Sequence, residues 1–172
     1  MKRILLLITV FIFTQQIKSQ EQFNIGVNGG VTVGETIGTY SDMAFGLDVN
    51  YLFQLSEDFV VGPSLALTYF NTKEVEGFKP DAFMYLPISA AIRFNSLDDP
   101  FYAGVDVGFA VGISPDGDSG GVYIKPIVGY NINDSFKLNL FYAGIRKTKI
   151  TNGYVGFGVT YDLKGTESES YF

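Results

Sequence analysis

The chain has 172 residues, 47% hydrophobic and 16% aromatic, but only 17% charged, below the usual quarter of a soluble domain. It contains no cysteine and no histidine, which excludes disulfides, thiol chemistry, a Ser–His nucleophile system and His/Cys metal sites. Its net charge of −6 points away from nucleic acid and anionic membrane surfaces as partners.

Residues 1–19 read as a secretory signal peptide. Lys2 and Arg3 make a basic start, and Ile4–Phe13 is an apolar run broken only by Thr9. That run is well short of the roughly 20 residues a membrane helix needs. Ile17 and Ser19 then precede a plausible cut ahead of Gln20, the layout of a cleavage site. Removal of Lys2, Arg3 and Lys18 leaves nine basic residues against eighteen acids, a mature charge near −9.

From Phe23 onward, apolar and small polar residues alternate. Successive side chains of a strand point to opposite faces, so each alternating run has one apolar and one polar face. Strand one, 22–33, sets Phe23, Ile25, Val27, Val31 and Val33 against Asn24, Gly26, Asn28, Gly30 and Thr32. Strand two, 43–54, sets Phe45, Leu47, Val49, Tyr51 and Phe53 against Gly46, Asp48, Asn50 and Gln54. Strand three, 59–70, opposes Phe59, Val61, Leu65, Leu67 and Tyr69 to Gly62, Ser64, Ala66 and Thr68. Strand four, 82–95, opposes Met84, Leu86, Ile88, Ala90, Ile92 and Phe94 to Tyr85, Ser89, Ala91, Arg93 and Asn95.

Strand five, 100–112, interleaves Phe101, Ala103, Val105, Val107, Phe109 and Val111 with Tyr102, Gly104, Asp106, Gly108 and Ala110. Strand six, 121–133, has Val122, Ile124, Val128, Tyr130 and Ile132 against Tyr123, Lys125, Gly129 and Asn131. Strand seven, 136–147, is less regular, because Phe141 falls in the row of Lys137, Asn139 and Ala143. Strand eight, 153–164, sets Val155, Phe157, Val159, Tyr161 and Leu163 against Tyr154, Gly156, Gly158, Thr160 and Asp162.

The connections alternate as well. Leu55–Asp58, Ser96–Asp99 and Asn133–Ser135 are tight, whereas Gly34–Asp42, Asn71–Asp81, Ile113–Gly120 and Lys147–Asn152 tend to be longer. Short turns at one rim and longer loops at the other are the outer-membrane arrangement, with both termini at the periplasmic rim. An even number of strands with adjacent ends lets the sheet close and removes its edges. The predicted fold is therefore all-β: an eight-stranded antiparallel up-and-down transmembrane β-barrel over 20–164, behind a cleaved signal peptide and followed by a polar tail at 165–172.

A water-facing surface carries many charges of both signs. Here the polar rows are mostly Gly, Ala, Asn, Ser and Thr, and hold six charges: Asp48, Arg93, Asp106, Lys125, Lys137 and Asp162. Three are acidic and three basic, which suits an enclosed lumen where an unpaired charge is costly. The apolar rows suit lipid, with aromatic residues at the interfaces. Strand direction places Asp48, Asp106 and Lys125 near mid-height, and Arg93, Lys137 and Asp162 near the periplasmic rim. Two separate ion-pair clusters are expected, built on Asp106 with Lys125 and on Lys137 with Asp162. Tyr102, Tyr123 and Gln54 are expected hydrogen-bond partners. Pro63, Pro87 and Pro126 each fall within a strand and remove a ladder donor, so bulges or a nearby rim are expected to accommodate them.

Three stretches carry the likeness to a family: Phe23-Asn24-Ile25-Gly26-Val27-Asn28-Gly29-Gly30-Val31, Val61-Gly62-Pro63-Ser64-Leu65, and Tyr85-Leu86-Pro87-Ile88. Together they resemble the outer membrane protein β-barrel domain family, a porin-like group of small envelope barrels. The resemblance covers most of the mature chain. It implies an OmpA/OmpX-type eight-stranded barrel and makes Pro63 and Pro87 family features, but it implies no reaction. The polar tail from Lys164 to Ser170, ahead of Tyr171 and Phe172, departs from strands that end the chain on an aromatic residue.

Asp48 and Asp106 form the one candidate carboxylate pair in the lumen, and they read as charge partners rather than as an acid and a base. Asp116-Gly117-Asp118-Ser119-Gly120-Gly121 resembles the front of a Ca²⁺ loop, but Ile127 stands where a bidentate Glu is needed, so the stretch reads as a flexible loop. No catalytic residue, metal or cofactor is expected. Expected partners are outer-membrane lipid and, during assembly, periplasmic chaperones and the barrel-insertion machinery. The expected role is structural or interactive, in the outer membrane, with the interior filled by side chains. The alternatives are a narrow porin-like channel or accessory of envelope transport or secretion, and a secreted lipocalin-like binding barrel.

Overall fold

The computed structural model describes residues 21–34, 37–96, 99–147 and 150–163. The expected signal peptide, 1–19, and the expected polar tail, 165–172, lie outside the described residues. Eight strands follow one another: β1 (Glu21–Val33), β2 (Ser41–Gln54), β3 (Phe59–Thr72), β4 (Phe83–Asn95), β5 (Phe101–Ser114), β6 (Gly121–Asn131), β7 (Phe136–Arg146) and β8 (Thr151–Asp162). A short helix, α1 (Ile37–Tyr40), stands between β1 and β2. Each strand pairs antiparallel with the next, and β8 returns to β1 from Asn24↔Asp162 to Val33↔Gly153, closing the barrel.

All strand ends fall within two residues of the sequence reading, and two of the shifts alter the connections. β6 ends at Asn131 because the Asn133 side chain caps the following turn, its Oδ1 accepting from the amides of Ser135 and Phe136 at 2.9 and 2.7 Å. β8 begins at Thr151, so the connection at 147–150 is as short as the turns on the opposite rim. Only three of the four outer connections are longer.

The apolar rows face outward. Leu47, Val128 and Phe157 are 53%, 56% and 74% exposed, while Ala44, Phe70, Tyr85 and Ala110 on the inner face have no exposed surface. At the short-turn rim the outer wall carries aromatic side chains from all eight strands: Phe23, Tyr51, Phe59, Phe94, Phe101, Tyr130, Phe136 and Tyr161. Neighbours meet across strands, with ring centroids 5.1 Å apart for Phe59–Phe94, 5.2 Å for Phe101–Tyr130 and 4.9 Å for Phe136–Tyr161. A belt of aromatic residues, one from each strand, bounding an apolar wall is the girdle that marks a membrane interface.

The three strand prolines do not sit at bulges. Pro63 falls where the β2–β3 ladder skips from Asn50↔Ser64 to Phe53↔Val61. Pro87 falls where β3–β4 skips from Leu65↔Ile88 to Thr68↔Tyr85, and Pro126 where β6–β7 skips from Ile124↔Gly144 to Ile127↔Phe141. The register is the same on both sides of each gap. A proline has no N–H to donate, so the ladder lapses on one side of the strand. On the other side, Pro63, Pro87 and Pro126 remain paired with Ala90, Ala110 and Val105.

Candidate functional site: the barrel interior

Inward-facing positions bring all six predicted charges into the lumen, in three ion pairs. Arg93 Nη1 lies 2.5 Å from Asp106 Oδ1, Lys125 Nζ 2.7 Å from Asp48 Oδ2, and Lys137 Nζ 3.5 Å from Asp162 Oδ2. The third pair joins the partners expected from the sequence. The other two correct the expectation that Asp106 and Lys125 hold each other.

Asp106 and Lys125 are register partners on β5 and β6, yet each bonds elsewhere. Gly104 supplies the reason. A Cβ there would stand 2.4 Å from Arg93 Cδ, so the missing side chain lets Arg93 lie along β5 and reach Asp106. Lys125 then spans the lumen to Asp48, with its ammonium 4.6 Å from the centre of the Phe141 ring, within cation–π range. Arg93 therefore bridges from the short-turn end toward mid-height, and the charges do not divide into the two expected clusters.

Polar side chains knit these pairs together. Asn28 Nδ2 donates to Asp48 Oδ2 at 2.6 Å, and Asn24 Nδ2 to Asn50 Oδ1 at 3.0 Å. Lys137 Nζ donates to Gln22 Oε1 at 3.1 Å, and Asn139 Nδ2 to Thr160 Oγ1 at 3.2 Å. Asp106 Oδ1, although in ionic contact with Arg93, accepts no aligned hydrogen bond. The Tyr102 ring occupies the space over Gly129, where a Cβ would lie 2.2 Å from the ring. Gln54, the third expected partner, ends β2 opposite Val60. A cavity of about 40 Å³ runs among these groups, lined by Gln22, Asn50, Asp48, Lys125, Arg93 and Lys137 among others. It has room for about three waters.

Toward the loop rim the filling changes. Phe70 meets Tyr85 and Tyr154 edge-to-face, with centroids 5.9 and 5.6 Å apart, and Phe141 meets Tyr154 at 5.2 Å. Tyr123 belongs to the same buried cluster, and Ile37 of α1 completes it. The Tyr154 hydroxyl joins the two regions, donating to Asn28 Oδ1 at 2.8 Å. This aromatic layer has no counterpart in the sequence reading. Its signal was present: Tyr85, Tyr123, Phe141 and Tyr154 are bulky residues in rows otherwise made of small polar ones.

Above the layer, the β5–β6 loop is fastened to the barrel. Asp118 accepts from the Tyr85 hydroxyl and the Gly120 amide, each at 2.8 Å, and pairs with Lys147, whose ammonium stands over the Tyr85 ring. Burial works against the ionised Asp118, but the Lys147, Gly120 and Tyr85 hydrogen bonds outweigh it and hold the carboxyl below its ordinary value. Burial also opposes the charge on Lys147, and the bonds to Asp118 and Tyr85 push its pKa up overall. The acidic loop that resembled the start of a Ca²⁺ site thus directs the Asp118 carboxylate to protein donors. Among the described residues, no group of three His, Cys, Asp or Glu side chains is placed to hold a metal ion.

No family model matches the sequence, and no curated protein matches it. Solved structures share the fold. Ail, the attachment invasion locus protein of Yersinia pestis, is 16% identical with a TM-score of 0.58, covering 86% of this chain and 100% of its own. Neisserial surface protein A is 12% identical with a TM-score of 0.51, covering 82% of this chain and 97% of its own. A de novo designed transmembrane β-barrel is 11% identical with a TM-score of 0.52, covering 87% of this chain and 98% of its own. At such identities the likeness is one of fold, and that fold is the closed eight-stranded barrel of integral outer-membrane proteins.

Proposed function

We propose that the protein is an integral outer-membrane barrel with a structural or interaction role and an interior that does not conduct. The carrying observation is the outer wall, an apolar surface bounded at the short-turn rim by an aromatic ring drawn from every strand. It favours lipid over water as the surroundings and weighs against a secreted lipocalin-like binder, whose apolar rows would point inward. The buried aromatic layer across the lumen weighs against the porin-like alternative. Outer-membrane lipid is the resident partner on this reading. Periplasmic chaperones and the insertion machinery act during assembly, after cleavage ahead of Gln20.

Sucrose-gradient fractionation, a heat-shift gel and intact-mass measurement test the reading together. The expected species lies in the outer-membrane fraction, changes mobility on heating and begins at Gln20 or one residue later. Recovery as a soluble, unshifted species would overturn it. Planar bilayers should show no single-channel conductance. Leu47→Arg, on the outer wall, should cost about 2–4 kcal/mol in urea unfolding from detergent or lipid if the site lies near the bilayer midplane.

A further inference from the structure

The two layers of the lumen differ in their access to water. Asp48 sits in mid-strand, opposite Gly26 and Ala66, yet its side chain is 17% exposed. Lys137, nearer the short-turn rim, is 16% exposed. Both line the same cavity, which also reaches Gln22 and Asn95, at the rim ends of β1 and β4. The accessible path then stops. Ala44, Phe70, Tyr85 and Ala110 have no exposed surface, and Tyr123 and Tyr154 have almost none. A polar lining that keeps Asp48 and Lys137 partly exposed, contact with the rim residues Gln22 and Asn95, and an abrupt apolar end describe a pocket with one entrance.

Resting on the reading of the chain as a membrane barrel with its short turns in the periplasm, we infer that the interior is a blind vestibule. It takes water and ions of about water's size from the periplasmic side as far as Asp48. The layer of Phe70, Tyr85, Tyr123, Phe141 and Tyr154 ends it, so the rings, and not the ion pairs, are the barrier to conduction. The size of the cavity sets the ligand class, since it admits a few water-sized bodies and no organic solute. Its lining offers charges of both signs, which lets water and single ions enter without a strong preference for sign.

The absence of native cysteine makes the inference directly testable by silver ion, a thiol reagent of suitable size. Single cysteines are placed in the vestibule, Asn50→Cys and Thr160→Cys, and in the sealed layer, Ala44→Cys and Ala110→Cys. Each full mature barrel is inserted in liposomes in one known orientation and checked by heat shift. Silver is added to one side, and unreacted thiols are counted with maleimide after denaturation. The Asn50→Cys and Thr160→Cys thiols are expected to react from the short-turn side only, and the Ala44→Cys and Ala110→Cys thiols from neither side. Adding Phe70→Ala should expose the Ala110→Cys thiol and produce conductance. If that variant fails the heat-shift check, Phe141→Ala carries the same expectation. Reaction of the sealed-layer thiols in the parent, silence of the vestibule thiols, or conductance on Lys125→Met but not on ring removal would each overturn the inference. A failure of the membrane reading would show separately, as a barrel that neither inserts nor shifts on heating.

Discussion

The short-turn half of the lumen and its loop half solve one packing problem by different means. Near the short-turn rim, long charged side chains hold one another in pairs, Arg93 lying over Gly104, and asparagines add further bonds. Near the loops, rings pack edge-to-face, and the polar groups buried beside them are short and uncharged: Ser41, Thr68, Thr72 and Asn152. The difference follows access to water. A buried charge or amide needs a partner for each of its polar atoms, and Asp106 Oδ1 shows how hard that is with protein groups alone. Where the cavity lets water in, an imperfect network can stand. Where water is shut out, apolar rings fill the section and gain from tilted contacts.

The largest test of this contrast is Phe70→Ala. The ring is fully buried and touches both Tyr85 and Tyr154, so its loss should cost about 3–5 kcal/mol in equilibrium urea unfolding. Lys125→Met should cost less, about 2–3 kcal/mol. It strands Asp48, but that carboxylate is open to the cavity, which relieves part of the 3–5 kcal/mol typical of a sealed pair. The double change Lys125→Met with Asp48→Leu should be milder than Lys125→Met alone. Lys137→Met breaks a longer pair, 3.5 Å against 2.7 Å, but strands Asp162, whose side chain is only 5% exposed, so it should cost no more than Lys125→Met, about 2 kcal/mol. A double-mutant cycle on Lys125 and Asp48 with no coupling would mean that the wet half is not held by its ion pairs.

The smallest expected effect concerns the outer fastening. The Asp118 carboxyl is held below its ordinary 3.8, so its contribution is full above that pH and is lost as pH falls through the depressed value. Lys147 is held above its ordinary 10.5, so its contribution is full below 10.5 and is lost as pH rises through the elevated value. The loop should thus be equally fastened from pH 3.8 to 10.5. Protection of the Gly120 amide, followed by NMR from acid to neutral pH, should stay level above the ordinary Asp118 value and fall below it as Asp118 protonates. A midpoint near neutrality would assign the fastening to other groups.

Much of this was legible in the sequence because a strand with different solvents on its two faces must alternate strictly. Leu47, Val128 and Phe157 announce the lipid side, and the six charges of the polar rows all enter the lumen. Pairing was less legible. Two partners at the same register, Asp106 and Lys125, would meet if only their own strands mattered. The choice was made by the room over Gly104 and by the distance across the lumen to Asp48, neither of which is a property of adjacent strands. The aromatic layer was hidden for a similar reason. Phe70, Tyr85, Phe141 and Tyr154 lie on four strands, and only closure of the barrel brings them to one height. The prolines misled in one respect: a missing donor suggested an inserted residue, whereas the chain simply omits the bond and keeps count.

Those omitted bonds make the seams of the wall mechanically unequal. The terminal seam, β1 with β8, runs without a lapse from Asn24↔Asp162 to Val33↔Gly153, and β1–β2 and β7–β8 are equally continuous. The seams at β2–β3, β3–β4 and β6–β7 each lack adjacent rungs beside a proline. A barrel pulled from one end should therefore tear in pieces bounded by its prolines, with β7, β8, β1 and β2 holding together as a single ribbon although the first and last strands meet in its middle.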